Sequence, residues 1–88
     1  MLALDFTNQF KKDLKLTKKR GKNLTKLDTI ITLLQEEKPL LPKNHNHKLE
    51  GDYADHWECH IEPDWLLIYF KTRKTLTLVR TGSHSDLF

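Results

Sequence analysis

The sequence predicts an α+β domain in which a short N-terminal strand and two helices pack on one face of a small, mostly antiparallel, four-stranded sheet. Two observations support this prediction. Apolar residues recur every three or four positions through the first 34 residues, and from about residue 56 they recur every second position. Because a helical half precedes a half made of strands, the helices and the sheet are expected to form two layers.

Length and composition limit the organisation of the chain. Its 88 residues leave room for a single core, so we expect one domain over residues 1–88. A single cysteine, Cys59, cannot form an internal disulfide. Without a signal-like start or a long apolar run, the expected location is the cytoplasm, with no membrane contact.

The positive charge is concentrated at the N-terminus. Residues 1–26 contain eight lysines and arginines against two acidic residues, whereas the remainder contains seven basic and ten acidic residues. A basic N-terminal element favours a polyanion as partner. The alternative is that these lysines form a solvated helix face without a specific partner.

The N-terminal half contains recognisable start and stop signals. Residues 2–5 alternate and predict an edge strand, Thr7 is a suitable N-cap for the first helix, and Gly21 is suited to end it. Asn23 can cap the second helix, and Pro39 follows its end. The predicted buried stripes are Phe6, Phe10 and Leu14 in the first helix, and Leu24, Leu27, Ile30, Ile31 and Leu34 in the second.

A polar connection over residues 38–52 separates the helices from the strands. It contains His45 and His47, and Leu49 is its expected anchor to the body of the domain. A loop of this length is uncommon in so small a domain unless it has a function.

The C-terminal half predicts three strands of a meander. Residues 56–61 alternate, with Trp57, Cys59 and Ile61 on one face. Residues 65–70 are apolar on both faces, which is typical of a central strand, and residues 75–80 form the third strand. The face opposite the helices is expected to be polar and concave, because it must accommodate Glu58, His60 and Arg80.

Five histidines allow three interpretations. They can be surface residues, which we favour for His45 and His56 individually. They can form a zinc site, with Cys59 as a further ligand, although adjacent strand residues such as Cys59 and His60 point to opposite faces. The third interpretation is acid–base catalysis without a metal, since imidazole both accepts and donates protons near neutral pH.

Two imidazoles are sufficient to cleave RNA. One takes the proton of a ribose 2′-hydroxyl and the other protonates the leaving 5′-oxygen, while a carboxylate orients a ring and a cation stabilises the phosphate. The turn before Trp65 brings Asp64 near His60. Spacing alone does not show that the remaining candidates, His47, His84 and Arg80, converge on the same place.

Three segments carry a resemblance to a known family: HKLEG at 47–51, ECHIEPDWLLIY at 58–69 and RTGSHSDLF at 80–88. In this combination they resemble the YafQ-type toxins of the RelE superfamily, which belong to bacterial toxin–antitoxin modules. The likeness extends over essentially the whole chain.

This resemblance implies a RelE-like fold and a ribosome-dependent endoribonuclease that cleaves mRNA in the A site without a cofactor. It also implies a cognate antitoxin as partner, with operator DNA bound only through the toxin–antitoxin complex. The expected catalytic residues are His47, His60, Asp64 and His84, and the expected substrate contacts are Glu58, Trp65, Arg80 and Phe88.

The chain departs from the family pattern at Trp57, where many relatives have a basic residue, so a phosphate or rRNA contact is expected to be missing or replaced by stacking. The gyrase-poisoning branch of the superfamily lacks the histidines, which argues against that activity here. The remaining alternative is a non-catalytic module of the same fold that binds nucleic acid or a protein partner.

Overall fold

A computed structural model describes residues 1–88, which contain five strands, three α-helices and two single 3₁₀ turns. None of the helices is both long enough and apolar enough to cross a bilayer. The strands are β1 (Ala3–Phe6), β2 (His47–Lys48), β3 (Trp57–Glu62), β4 (Trp65–Lys71) and β5 (Thr75–Gly82), and the helices are α1 (Asn8–Lys19), α2 (Leu24–Gln35) and α3 (His84–Leu87).

The strands form one mixed sheet in the order β1-β5-β4-β3-β2. β1 runs parallel to β5, and every other pair is antiparallel. The α+β class is confirmed, but the prediction of four strands is wrong. The additional strand, β2, has two residues and lies inside the predicted loop, and a segment that short shows no alternation that would reveal it.

The predicted helix caps are confirmed. The hydroxyl of Thr7 accepts a hydrogen bond from the backbone N–H of Phe10 at 3.0 Å, and the Asn23 side chain accepts one from Thr25 at 3.0 Å. Gly21 has a φ of 76°, in the left-handed region that glycine adopts most easily. These caps fix where the two helices begin and where the connection between them turns.

The first face of the sheet is covered by α1 and α2. Here the helices contribute Phe10, Leu27, Ile30 and Leu34 to a buried cluster with alternate residues of β3, β4 and β5. The predicted stripe of α1 was wrong at Phe6, which precedes the helix in β1 and is 43% exposed. Asp13 and Thr17 are buried on this helix instead.

The second face of the sheet is covered only in part. Leu66 and Ile68 of β4 are fully buried there against Leu87 of α3, a helix that the sequence did not predict. Leu49 packs at the edge of this small cluster, which confirms it as the anchor of the connection. Because β4 is buried on both faces, its prediction as the central strand is also confirmed.

Candidate active site

A histidine–carboxylate pair forms where β3 turns into β4. Asp64 lies in that turn, and His84 is the first residue of α3; the pairing of Leu66 with Gly82 brings the two segments together. One oxygen of Asp64, Oδ1, accepts both the backbone N–H of His84 at 2.8 Å and its Nδ1–H at 2.6 Å. The proton of the His84 ring is therefore held on Nδ1, and Nε2 is left for proton transfer.

The same contacts keep Asp64 ionised. The backbone N–H of His84 is the largest influence and its ring is the second, and together they hold the pKa of Asp64 below its usual value. The carboxylate is therefore negative throughout the neutral range.

His60 lies at the centre of a group of four imidazoles, which we call the histidine cluster (His45, His47, His60 and His84). The ring centroid of His60 is 5.3 Å from His45, 6.5 Å from His47 and 5.7 Å from His84. The structure thus brings together all of the predicted catalytic residues. It also adds His45, which is exposed, as the sequence pattern favoured, and whose ring meets that of His60 edge-on.

Local backbone geometry places His45 against His60. His45 has a φ of 43°, an uncommon conformation for a residue with a side chain. The preceding residue, Asn44, is buried, and its amide donates to the carbonyl oxygen of His60 at 2.8 Å. The loop is therefore fixed to β3 next to the cluster, which the sequence pattern of residues 38–52 did not indicate.

Glu58 lies between two imidazoles. Its Oε1 is 3.5 Å from Nε2 of His47 and 3.5 Å from Nε2 of His60, which are ion-pair distances when either ring is protonated. The Nδ1–H of His47 donates to the carbonyl oxygen of His45 at 2.7 Å. Glu58 is only 5% exposed and faces these rings, so it contacts the histidines and not the substrate, contrary to the prediction.

Arg80 is fixed by a buried carboxylate of α1. Its Nε and Nη2 donate to the two oxygens of Asp13 at 2.9 and 3.0 Å, and the backbone N–H of Thr81 donates to the same carboxylate at 3.2 Å. Asp13 is the main cause of the raised pKa of Arg80, and the Tyr53 hydroxyl adds to it. Asp13 was missed as a functional residue, although a carboxylate three residues after Phe10 on the buried stripe was a usable signal.

Trp65 and Phe88, both predicted to contact substrate, lie in very different environments. Trp65 is 1% exposed in the core of the first face, where its indole N–H donates to the Thr81 hydroxyl at 3.0 Å. The prediction for Trp65 is therefore wrong, because its ring cannot reach a base. Phe88 is 65% exposed, and its ring meets Tyr53 at a centroid distance of 6.2 Å.

The helix that carries His84 is held by Asp86. This carboxylate accepts the backbone N–H of Ser83 at 2.9 Å and two bonds from Arg20 at 2.6 and 3.2 Å, and the Arg20 contact is the main reason for its lowered pKa. A Cβ on Gly82 would lie 2.9 Å from Asp86 Oδ2. Glycine is thus required here for the close approach, a constraint that sequence reasoning did not find.

The arrangement does not favour the zinc interpretation. Cys59 is fully buried on the first face, away from the histidine cluster, and burial raises the pKa of its thiol to about 12. A neutral thiol is a poor metal ligand. No three His, Cys, Asp or Glu side chains are arranged as a metal site requires.

Comparison with known proteins identifies a family that matches nearly the whole chain. A family model described as the bacterial toxin of type II toxin–antitoxin systems, YafQ, matches residues 2–88. The mRNA interferase toxin YafQ of Escherichia coli (strain K12) is 41% identical over 86 residues, which cover 97% of this chain and 94% of that protein.

Two solved structures have nearly the same backbone. A metal-bound toxin from Helicobacter pylori has a TM-score of 0.95 at 44% identity, over all of both chains. YafQ in the E. coli DinJ–YafQ toxin–antitoxin complex has a TM-score of 0.92 at 40% identity, over 99% of this chain and 97% of that one. The chain belongs to the YafQ family of bacterial toxins from type II toxin–antitoxin systems.

Proposed function

We propose that this protein is an mRNA interferase, an endoribonuclease that cleaves mRNA in the ribosomal A site and thereby inhibits translation. The E. coli relative is named as an mRNA interferase. The observation that carries the proposal is the Asp64–His84 pair, with a 2.6 Å hydrogen bond and with the ring of His60 5.7 Å from that of His84. Two imidazoles, one of them oriented by a carboxylate, are the parts that RNA cleavage needs.

The proposed reaction is a transesterification. One imidazole of the His60–His84 pair takes the proton of the ribose 2′-hydroxyl, and the 2′-oxygen forms a bond to the adjacent phosphorus. The bond from phosphorus to the 5′-oxygen breaks, and the other ring, as an imidazolium, gives its proton to that oxygen. The products are a 2′,3′-cyclic phosphate and a 5′-hydroxyl, and no metal ion takes part.

The neighbouring groups serve charge and orientation. Asp64 fixes the tautomer of His84 and stabilises its protonated form, as the carboxylate of a catalytic triad does for its histidine. Glu58, whose Oε1 is 3.5 Å from the Nε2 atoms of His60 and His47, balances a positive charge when either ring is protonated. Arg80, held by Asp13, places a fixed positive charge toward the phosphate, where charge accumulates in the transition state.

The partner that we propose is a cognate antitoxin. A relative has been solved in complex with the antitoxin DinJ. The side chains of Asp64 and His84 are largely exposed here, at 67% and 55%, so a bound protein could cover them and block the reaction. We further propose that operator DNA is bound only by the toxin–antitoxin complex, and that the toxin acts in the cytoplasm on ribosomes.

Cleavage on programmed ribosomes tests the activity. Removing one proton-transfer group should cost roughly 10²–10⁴-fold in rate, so His84→Ala and His60→Ala should lose cleavage by about that factor. Arg73→Ala, at an exposed cation in the β4–β5 turn, is the matched control and should cleave at the wild-type rate. Primer extension gives the cut positions, and circular dichroism shows that each variant is folded.

A chelator selective for transition metals, at constant Mg²⁺, should leave the rate unchanged. Intact mRNA with folded wild-type protein would contradict the proposal and favour a non-catalytic binding module.

A further inference from the structure

A continuous row of aromatic rings extends beyond the histidine cluster on the second face of the sheet. The centroid of Phe88 is 6.2 Å from Tyr53, that of Tyr53 is 5.8 Å from His56, and that of His56 is 5.4 Å from Phe70. We call these four residues the aromatic row. The proposed mechanism uses none of Tyr53, His56 and Phe70.

The row and the histidine cluster share one face and are physically connected. His56 lies four residues before His60 on the same side of an alternating segment, about 13 Å away at a strand rise of roughly 3.3 Å per residue. At the other end, the backbone N–H of Phe88 donates to the carbonyl oxygen of His84 at 2.9 Å. A ligand that occupies the row would therefore reach the proposed site of cleavage.

The rings are not packed as a closed stack. Successive interplanar angles are 80°, 75° and 48°, so the rings meet by edges or at a tilt. Phe88 is mostly exposed, and the other three are half-buried rather than covered by the rest of the chain. Four neighbouring aromatic rings that the chain leaves partly accessible are more than is needed to pack one loop in a domain of 88 residues.

Charge indicates which part of a nucleotide fits this surface. The turn that carries Tyr53 also carries the exposed acidic residues Asp52 and Asp55, and Lys48 is paired with Asp55 at 3.8 Å. This rim disfavours phosphates. Rings flanked by carboxylates suit bases, which stack by their π faces regardless of charge.

We propose that the aromatic row binds single-stranded mRNA by stacking against the bases next to the cleaved bond, while Arg80, which pairs in register with Ile68 of β4, meets the backbone. This inference rests on the proposed function, because the RNA in the row is the substrate of the histidine cluster. It assigns Tyr53, His56 and Phe70 to substrate binding and predicts that their loss weakens binding of mRNA more than binding of the ribosome.

The test compares ribosomes with and without mRNA. The mRNA carries 2′-O-methyl groups, which prevent cleavage, and the measured quantity is the ratio of the affinities for programmed and empty ribosomes. Because one base–aromatic stack contributes roughly 5-fold to 100-fold in affinity, Tyr53→Leu should lower this ratio about tenfold and His56→Leu about fivefold. Tyr53→Phe and His56→Tyr keep a ring and should stay within about twofold of wild type.

Phe6→Leu is the matched control, since it removes an exposed ring from β1 at the far edge of the sheet and should leave the ratio unchanged. Tyr53 also packs against the small cluster of Leu66, Ile68 and Leu87, so thermal unfolding is measured for each variant. If Tyr53→Leu does not fold, His56→Leu is used to decide the outcome.

Wild-type ratios for folded His56→Leu and Phe70→Leu would overturn the inference, whereas a wild-type protein that fails to cleave unmethylated mRNA would overturn the proposed function instead.

Discussion

The two faces of this sheet are made by the same strands but differ in role: the first forms the hydrophobic core, and the second carries the candidate active site. The first face is dry, with Leu67, Leu76 and Leu78 packed beneath two helices. The second face is half open, and its polar groups are held by hydrogen bonds, such as those between Asp64 and His84. Alternation along β3 separates them, because Cys59 points to the core while Glu58 and His60 point to the site. Stability and chemistry can therefore be changed almost independently.

The largest expected effect on stability is on the first face. Leu67→Ala removes a fully buried side chain at the centre of β4 and should lower the free energy of unfolding by about 2–5 kcal/mol. Urea unfolding measures the loss. Because Leu67 faces away from the histidine cluster, the cleavage rate per folded molecule should stay at the wild-type value; a large fall in that rate would show that the faces are coupled.

A second substitution tests the place where the faces meet. Asp13→Ala removes the carboxylate that anchors Arg80 and the Thr81 backbone, and should cost about 1–3 kcal/mol, since Arg80 is partly solvated. Unlike Leu67→Ala, it should also slow cleavage, because the guanidinium is no longer held in place. The exposed Asp5→Ala is the control, and equal effects from both variants would contradict this role.

The smallest effect is in the dependence of stability on pH. Asp86, Glu62 and Asp64 have pKa values below their usual ones, owing first to Arg20, to Lys26 and to the backbone N–H of His84, respectively. A carboxylate whose pKa is lower in the folded state than in the unfolded state stabilises the fold at every pH above its unfolded-state pKa. This stabilisation is lost as the pH falls through the folded-state pKa. The free energy of unfolding should thus be level above about pH 4–5 and decrease below it.

Asp86→Asn should make this acid limb shallower and lower the stability at neutral pH. High salt should reduce the difference in stability between Asp86→Asn and wild type, because the Arg20–Asp86 ion pair lies at the surface, where salt screens it. Measuring the unfolding midpoint between pH 2 and pH 7 gives both the slope of the acid limb and the stability at neutral pH. An acid limb with the same slope in both proteins would mean that the Arg20–Asp86 contact does not contribute.

What the sequence predicted well were features with a local signature. The caps at Thr7 and Asn23, the left-handed Gly21 and the central strand β4 each depend on one short pattern. Two features were too short to be predicted from periodicity. β2 is two residues long, and α3 is a single turn, although its Ser83–Asp86 capping box is a local pattern that indicates a helix start.

The sequence predicted residues that lie close together in the structure, and their catalytic roles stay a prediction. Residue types and the family resemblance pointed to His47, His60, Asp64 and His84, and the structure places them together. For the predicted substrate contacts, the outcome depended on burial. An apolar position on β4 does not reveal which face it occupies, so Trp65 was expected at the substrate although it lies in the core. The position of His45 beside His60 depends on a left-handed backbone at that residue, which no hydrophobic pattern reveals.

The most direct measurement is the rate of mRNA cleavage as a function of pH for wild type and Asp64→Asn. Measured between about pH 5 and pH 8, wild type should give a bell-shaped profile, because the reaction needs one neutral and one protonated imidazole. Asp64→Asn keeps the shape of the side chain but loses its charge, so the maximum rate should fall by about 10²-fold or more with the fold intact. An unchanged rate for folded Asp64→Asn, or a wild-type rate independent of pH over this range, would contradict acid–base catalysis by the His60–His84 pair.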